Sequence, residues 1–132
     1  MPTVLLVDDE PSLRRLIGRW LSRVGFDVTC AENGQVAWAL INKAPFDVVL
    51  CDIRMPVMSG LELLKKVRCH FPDIPVILMS GSGEIGNKEQ AIEHGAFDFR
   101  PKPVRLLDLE QAVRVAAMTR SADPSGWQLA CS

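Results

Sequence analysis

The sequence predicts an α/β fold in which five parallel strands alternate with five helices. Short apolar runs rich in valine and isoleucine alternate with stretches of helical period, and this alternation repeats five times. The runs are continuously apolar, as in residues 4–7, which is typical of strands covered on both faces. A length of 132 residues and a hydrophobic content of 48% predict one globular domain with its own core.

Local signals place the elements in order. The first strand covers residues 3–7, and the first helix runs from Pro11 to a break at Gly25. The apolar residues of this helix recur at spacings of three and four and should face the core, with arginines opposite; they are Leu13, Leu16, Ile17, Trp20, Leu21 and Val24. The later strands are predicted over 26–30, 46–51, 74–79 and 96–100. The later helices are predicted over 33–43 with Val36, Ala37, Leu40 and Ile41 inward, after Gly60 with Leu61, Leu64 and Val67 inward, over 87–94 and over 106–120.

Composition and charge exclude several classes of protein. A net charge of −1 gives no global positive field for nucleic acid or anionic lipid. No apolar run approaches the ~18–20 residues that span a bilayer, and the first residues lack a signal-peptide pattern. We therefore expect a cytoplasmic domain that contacts neither membrane nor nucleic acid. The cysteines form no Cys-x-x-Cys pair and are expected to be small buried core residues; they are Cys30, Cys51, Cys69 and Cys131.

Polar side chains follow four of the predicted strands. In a five-stranded doubly wound sheet of order 2-1-3-4-5, ligands bind beyond the carboxyl ends of the strands. That edge receives Asp8, Asp9, Asp52, Ser80 and Lys102. One polar residue at a strand end is ordinary, but three carboxylates repel one another unless a cation neutralises them. All the side-chain ligands would be oxygens, so the sequence predicts a Mg²⁺ site, with Mn²⁺ as a possible alternative.

Four groups of residues together resemble a known family. They are Val7-Asp8-Asp9-Glu10, then Asp52-Ile53-Arg54-Met55-Pro56 with Gly60, then Ser80-Gly81, and finally Phe99 with Lys102-Pro103. In this order and spacing they resemble the receiver domain of bacterial two-component response regulators, over residues 3–120. The resemblance implies a flavodoxin-like (βα)5 doubly wound sandwich and a role in phosphorelay signal transduction.

The resemblance also implies how the site works. It makes Asp52 the residue that accepts a phosphoryl group from a phosphohistidine of a sensor histidine kinase. Asp9, Asp52 and the backbone carbonyl of Arg54 would bind Mg²⁺ directly, and Asp8 would act mainly through water. A metal and one lysine meet the need for position and charge compensation, because phosphoryl transfer passes through a loose transition state.

The remaining motif residues are expected to stabilise the phosphoryl group and to form a switch. Lys102 would pair with Asp52 and then with the phosphoryl oxygens, and the Ser80 hydroxyl would hydrogen-bond the same group. Phe99 matches the family's switch aromatic, which swings inward when the hydroxyl moves toward phosphate. Lys102-Pro103 is a candidate cis peptide. Arg100 brings a charge to a position that is more usually apolar, on a face that receivers often use for partners.

Three other readings compete with this one. A flavin-binding module would need a phosphate-cradling loop after the first strand, where Asp8-Asp9-Glu10 would repel phosphate. A phosphatase with a nucleophilic aspartate would need a second catalytic aspartate where Arg54 stands. A degenerate receiver that binds partners without phosphorylation is disfavoured by the complete set of Asp9, Asp52 and Lys102.

The predicted domain organisation is a receiver over 1–120 and a flexible tail or linker start over 121–132. The implied partners are a sensor histidine kinase or phosphotransfer protein and a downstream effector, with a homodimer on phosphorylation as a further possibility. The domain would be a phosphoacceptor rather than an enzyme that turns over external substrate. The sequence leaves open whether it is free-standing or the first part of a longer regulator.

Overall fold

The computed structural model describes residues 1–81 and 88–122, and strands alternate with helices throughout. The strands are β1 (Thr3–Val7), β2 (Asp27–Ala31), β3 (Val48–Asp52), β4 (Val76–Ser80) and β5 (Asp98–Pro101). The helices are α1 (Pro11–Arg23), α2 (Gly34–Ile41), α3 (Gly60–His70), α4 (Lys88–Glu93) and α5 (Leu106–Ala122). Within the described residues, no helix is long and apolar enough to cross a membrane.

The five strands form one parallel sheet of order β2-β1-β3-β4-β5, which confirms the predicted fold class and strand order. β1 pairs with both β2 and β3, so Leu5 lies between Thr29 and Val49. The predicted third strand began too early, because ladder pairing starts at Val48 while Phe46 is buried ahead of it. The carboxyl ends of β1, β3, β4 and β5 consequently meet at one edge.

Two apolar layers cover the sheet, because alternate residues of each strand point to opposite faces. On one face β1 residues such as Leu5 pack with side chains of α2, α3 and α4. On the other face Leu6 and its neighbours pack with side chains of α1 and α5. Both faces of the central strands are fully buried, which explains their uninterrupted apolar sequence.

Two residues predicted to face the core are instead exposed. Leu16 is 53% exposed and Val36 is 37% exposed. The buried faces of their helices are centred on Ile17 with Leu21 and on Ala37 with Ile41. Each misplaced residue precedes a buried one by a single position, and a helix turns by about 100° per residue.

Among the three cysteines of the described residues, the prediction of burial is correct for one. Cys51 lies within β3 and is buried, whereas Cys30 on the edge strand β2 and Cys69 near the end of α3 are exposed. Their positions follow from topology, because an edge strand and a helix end are covered less than a central strand. Cys131 lies outside the described residues.

Helix ends agree with the local sequence signals. Gly25 and Gly95 follow α1 and α4 with φ of 107° and 99°, a left-handed conformation that favours glycine. Helix α5 continues to Ala122, two residues beyond its predicted end and into the segment predicted as a tail. Residues 82–87, between β4 and α4, lie outside the described residues, as does the rest of the predicted tail, 123–132.

Candidate functional site

Four strand ends bring the predicted site residues together at one edge of the sheet. Asp8 follows β1, Asp52 ends β3, Ser80 ends β4 and Lys102 follows β5. β1 and β3 are adjacent, which sets the first two carboxylates side by side. The arrangement is the one predicted from the strand order.

The carboxylates of Asp8, Asp9 and Asp52 form a compact cluster. Their candidate ligand oxygens all lie within 4.8 Å of one another. Asp8 and Asp52 are buried and Asp9 is exposed, so the cluster is open on one side. A shallow cavity of about 340 Å³ lies on that side, lined in part by Asp9 and Arg54. An all-oxygen donor set with an open side fits a hard divalent cation that keeps several waters, such as Mg²⁺.

Lys102 is the counter-charge of this cluster. Its Nζ donates to Asp52 Oδ2 at 2.9 Å and to Asp8 Oδ2 at 3.3 Å. Partial burial lowers the pKa of the Lys102 ammonium, but the hydrogen bond and charge of Asp52, with the charge of Asp8, outweigh it and raise the pKa overall. The lysine is therefore firmly cationic at neutral pH.

Asp8 is held in place from both sides of its backbone turn. Its Oδ1 accepts from the Glu10 N–H at 2.9 Å, and its carbonyl oxygen accepts from Arg14 Nη1 at 2.7 Å. Burial raises the pKa of the Asp8 carboxyl, and the Asp52 charge adds to the rise, while Glu10 and Lys102 act in the opposite direction. The ionised form of Asp8 is thus destabilised in the folded protein without a bound cation.

The loop between β3 and α3 turns tightly beneath Asp52. The Arg54 N–H donates weakly to Asp52 Oδ1 at 3.4 Å, and the Gly60 N–H donates to the Ile53 carbonyl at 2.9 Å. A Cβ on residue 60 would lie 2.8 Å from Ile53 Cα, so only glycine allows α3 to begin this close to the strand end. Ser59 caps the helix in a reciprocal capping box with Glu62.

Ser80 stands next to the cluster with its hydroxyl uncommitted. The residue is 5% exposed, and its Oγ has no hydrogen-bond partner. Its backbone carbonyl accepts from the Lys102 N–H at 2.9 Å, which couples the end of β4 to the segment after β5. Burial of a hydroxyl without a hydrogen-bond partner lowers the stability of the fold. The position of the Ser80 hydroxyl therefore suits donation to an acceptor that binds in the site.

Phe99 lies in the sheet interior on the side of α2, α3 and α4. It is 8% exposed and belongs to the apolar layer on that face. The inward position is the one that the resemblance associates with the active arrangement of the switch aromatic. The peptide bond between Lys102 and Pro103, which the sequence analysis named as a candidate cis peptide without deciding between cis and trans, is cis.

Buried Asp98, beside Phe99, is the centre of an ionic cluster that was not predicted from the sequence. Asp98 is 7% exposed, and its carboxylate meets Lys88 Nζ at 3.3 Å, Arg100 Nη2 at 3.0 Å and the Phe99 N–H at 2.8 Å. The cluster ties the start of α4 to β5. An aspartate between two phenylalanines of a predicted strand was the available signal, and the charge of Arg100 is engaged here.

Comparisons with known proteins identify the family of this arrangement. A family model of the response regulator receiver domain matches residues 4–114. Regulatory protein AtoC of Escherichia coli (strain K12) is 41% identical over 118 residues, which are 89% of this chain and 26% of AtoC. The DNA-binding transcriptional regulator NtrC of the same organism is 43% identical over 111 residues, which are 83% of this chain and 23% of NtrC. The chain spans about a quarter of the length of these curated relatives.

Solved structures of receiver domains support the same family assignment. A response regulator receiver domain protein from Clostridium thermocellum matches with a TM-score of 0.86 at 28% identity, covering 92% of this chain and 98% of that one. The Vibrio cholerae chemotaxis protein CheY4 matches with a TM-score of 0.80 at 31% identity, covering 88% and 98%. The fold, the strand-end carboxylates and the family match together show that this chain belongs to the response regulator receiver domains of two-component phosphorelay systems, which pair with histidine kinases and effector domains.

Proposed function

We propose that this domain accepts a phosphoryl group on Asp52 from a phosphohistidine of a sensor histidine kinase or phosphotransfer protein. The observation that carries the proposal is the pairing of Lys102 Nζ with Asp52 Oδ2 at 2.9 Å inside a cluster of three carboxylates. A nucleophilic carboxylate beside a fixed cation is what the transfer requires, because the transition state needs alignment and charge compensation.

In the proposed step, an oxygen of Asp52 attacks phosphorus while the bond from phosphorus to the imidazole nitrogen breaks. No general base is needed, since a carboxylate is already ionised at neutral pH. Lys102 orients Asp52 beforehand and then pairs with the phosphoryl oxygens. The Ser80 hydroxyl, which lacks a partner, donates to one of them.

Asp9, Asp52 and the Arg54 carbonyl are the proposed direct ligands of Mg²⁺, with Asp8 acting through water. The fit rests on the all-oxygen donor set and on the open side of the cluster at Asp9. Bound Mg²⁺ would neutralise negative charge on the phosphoryl oxygens. Mn²⁺ has the same preference for oxygen and is the expected substitute.

Output is proposed to pass through Ser80 and Phe99 to a surface that contacts a downstream effector, with homodimerisation on phosphorylation as one form of it. The domain is a phosphoacceptor that assists its own phosphorylation and dephosphorylation and acts in the cytoplasm. We place its boundary at the end of α5. By analogy with relatives that are about four times longer, the effector belongs to a longer regulator or to another protein.

The test is labelling of the purified chain by radiolabelled acetyl phosphate with Mg²⁺ present. Asp52→Asn should abolish labelling, because an amide is not a nucleophile, and removal of Mg²⁺ with EDTA should reduce labelling of the parent at least about a hundredfold, on the scale of one catalytic electrostatic group. Asp27→Asn, which removes an exposed carboxylate on β2, should label like the parent. Equal labelling of Asp52→Asn would refute the site.

A further inference from the structure

A basic groove lies between α1 and the edge strand β2. Its volume is about 590 Å³. It is lined by arginines of α1 and by small or apolar residues of α1 and β2. We define this α1–β2 groove by the four arginines and two β2 residues that line it, namely Arg14, Arg15, Arg19, Arg23, Val28 and Cys30.

Three of the arginines form a row along α1. Arg15, Arg19 and Arg23 are spaced by four residues, which places them on one face of the helix, and all are exposed. In the part of the chain that the structure describes, none of the three takes part in an ion pair. The row concentrates positive charge on a domain whose net charge is −1. Like charges at this spacing repel one another, so a negatively charged partner would stabilise the row.

One side of the groove is formed by β2. Among the described residues, β2 pairs with β1 alone, so its other edge has no neighbouring strand there. Asp27 N–H donates to the Pro2 carbonyl, and the Ala31 carbonyl accepts from Asp8 N–H, so these residues direct their backbone groups toward the rest of the sheet. Because backbone direction alternates along a strand, Val28 and Cys30 direct theirs outward. A free strand edge is a template for an added strand.

We propose that the α1–β2 groove binds an extended acidic segment of a partner polypeptide, in which carboxylates alternate with apolar side chains. The carboxylates would meet the arginine row, the apolar side chains would cover Val28 and Cys30, and the peptide backbone would pair with the edge of β2. The phosphates of a nucleic acid could pair with the arginine row. Its backbone has no apolar side chains to cover Val28 and Cys30 and no peptide groups to pair with the edge of β2.

This proposal does not depend on phosphorylation of Asp52. Among the six residues that define the groove, Arg14 contacts the phosphoryl site, through its bond to the Asp8 carbonyl. The test therefore uses the unphosphorylated chain and leaves Arg14 unchanged. Failure of the groove proposal and failure of the Asp52 assignment would then be separate results.

The probe is a fluorescent peptide of alternating glutamate and valine, about six residues long to match a strand. Its affinity should fall at least about tenfold in the double variant Arg15→Glu/Arg19→Glu, because repulsion replaces attraction. Lys43→Glu/Lys65→Glu makes the same change of net charge at exposed positions elsewhere and should stay within about twofold of the parent. Amide NMR shifts on binding should concentrate at residues 28–30.

Three results would overturn the proposal. The first is equal loss of affinity in both double variants, with the parent spectrum retained, which would indicate only a response to net charge. The second is binding of an oligothymidylate of equal charge as tightly as the peptide, which would indicate a polyanion site. The third is peptide-induced shifts confined to residues outside α1 and β2.

Discussion

Lys102 holds three strand ends together electrostatically. It reaches from the segment after β5 to Asp8 after β1 and to Asp52 at the end of β3. The family resemblance implied the pairing with Asp52. It could not predict the second contact with Asp8, because that depends on the reach of a flexible side chain across neighbouring strands.

The raised pKa of Asp8 predicts that its effect on the stability of the fold depends on pH. Its pKa is raised by burial above the ordinary value of 3.8, so the folded state favours the protonated form. Its contribution to stability therefore falls as pH rises through the window above 3.8. In EDTA, Asp8→Asn should raise the melting temperature by several degrees at pH 7, and this gain should shrink as the pH is lowered toward 3.8.

The amide can still accept from the Glu10 N–H, so the change removes charge while retaining the local turn. Asp27→Asn, at an exposed position, is the matched control and should show no comparable gain. Thermal melts followed by circular dichroism at several pH values make the comparison. A lower melting temperature for Asp8→Asn at pH 7 in EDTA would contradict this account of Asp8.

At the scale of elements, β4 and β5 form the part of the fold suited to a switch. Ser80 ends β4 with a buried hydroxyl that has no partner, and Phe99 is buried in β5. The Asp98 cluster with Lys88 and Arg100 fixes the start of α4 against the same strand. A phosphoryl oxygen that engages Ser80 would therefore act directly on the strand pair that carries Phe99.

Ser80→Ala should separate acceptance of phosphate from its transmission. The variant should still be labelled at Asp52, but a hydrogen bond worth about 1–3 kcal/mol in the active state would be lost. The ratio of the active to the inactive population should fall by about fivefold or more. NMR shifts of residues 81–102 on saturation with beryllofluoride, a phosphoryl mimic, measure this.

Ser22→Ala on the exposed face of α1 is the control and should respond to beryllofluoride like the parent. Shift changes of the same size and pattern in Ser80→Ala and in the parent would remove Ser80 from the transmission path. That result would leave the assignment of Asp52 intact.

At the scale of the whole molecule, the sheet and its two apolar layers explain why so much was predictable. Strands buried on both faces have continuous apolar sequences, and their carboxyl ends must share an edge once the strand order is fixed. The sequence was a weaker guide to which residues of a helix face the core. Leu16 and Val36 were predicted to face it, but each lies one position away from the buried face. The partial cover of an edge strand, which exposes Cys30, is likewise set by tertiary packing.

The site residues that lie at strand ends or in motifs were predictable from the sequence. The contacts that depend on side-chain conformation alone were not. The carboxylate edge and the candidate cis peptide followed from spacing and from the family resemblance. The Arg14 bond to the Asp8 carbonyl had no such signal, because the contact depends on side-chain rotamers. For the ionic cluster at Asp98 the signal was an aspartate between two phenylalanines, which does not identify its lysine and arginine partners. Ser80 was predicted by position, while its unpartnered hydroxyl became visible only in three dimensions.

The most direct test of the central claim is to locate the phosphoryl group that the chain receives from a phosphohistidine. After transfer from a phosphorylated histidine kinase with Mg²⁺ present, borohydride reduction of the acyl phosphate and peptide mass spectrometry identify the modified residue. We predict modification at Asp52 alone. Modification at Asp8, at Asp9 or outside the carboxylate cluster, or no transfer from any kinase that labels related receivers, would contradict it.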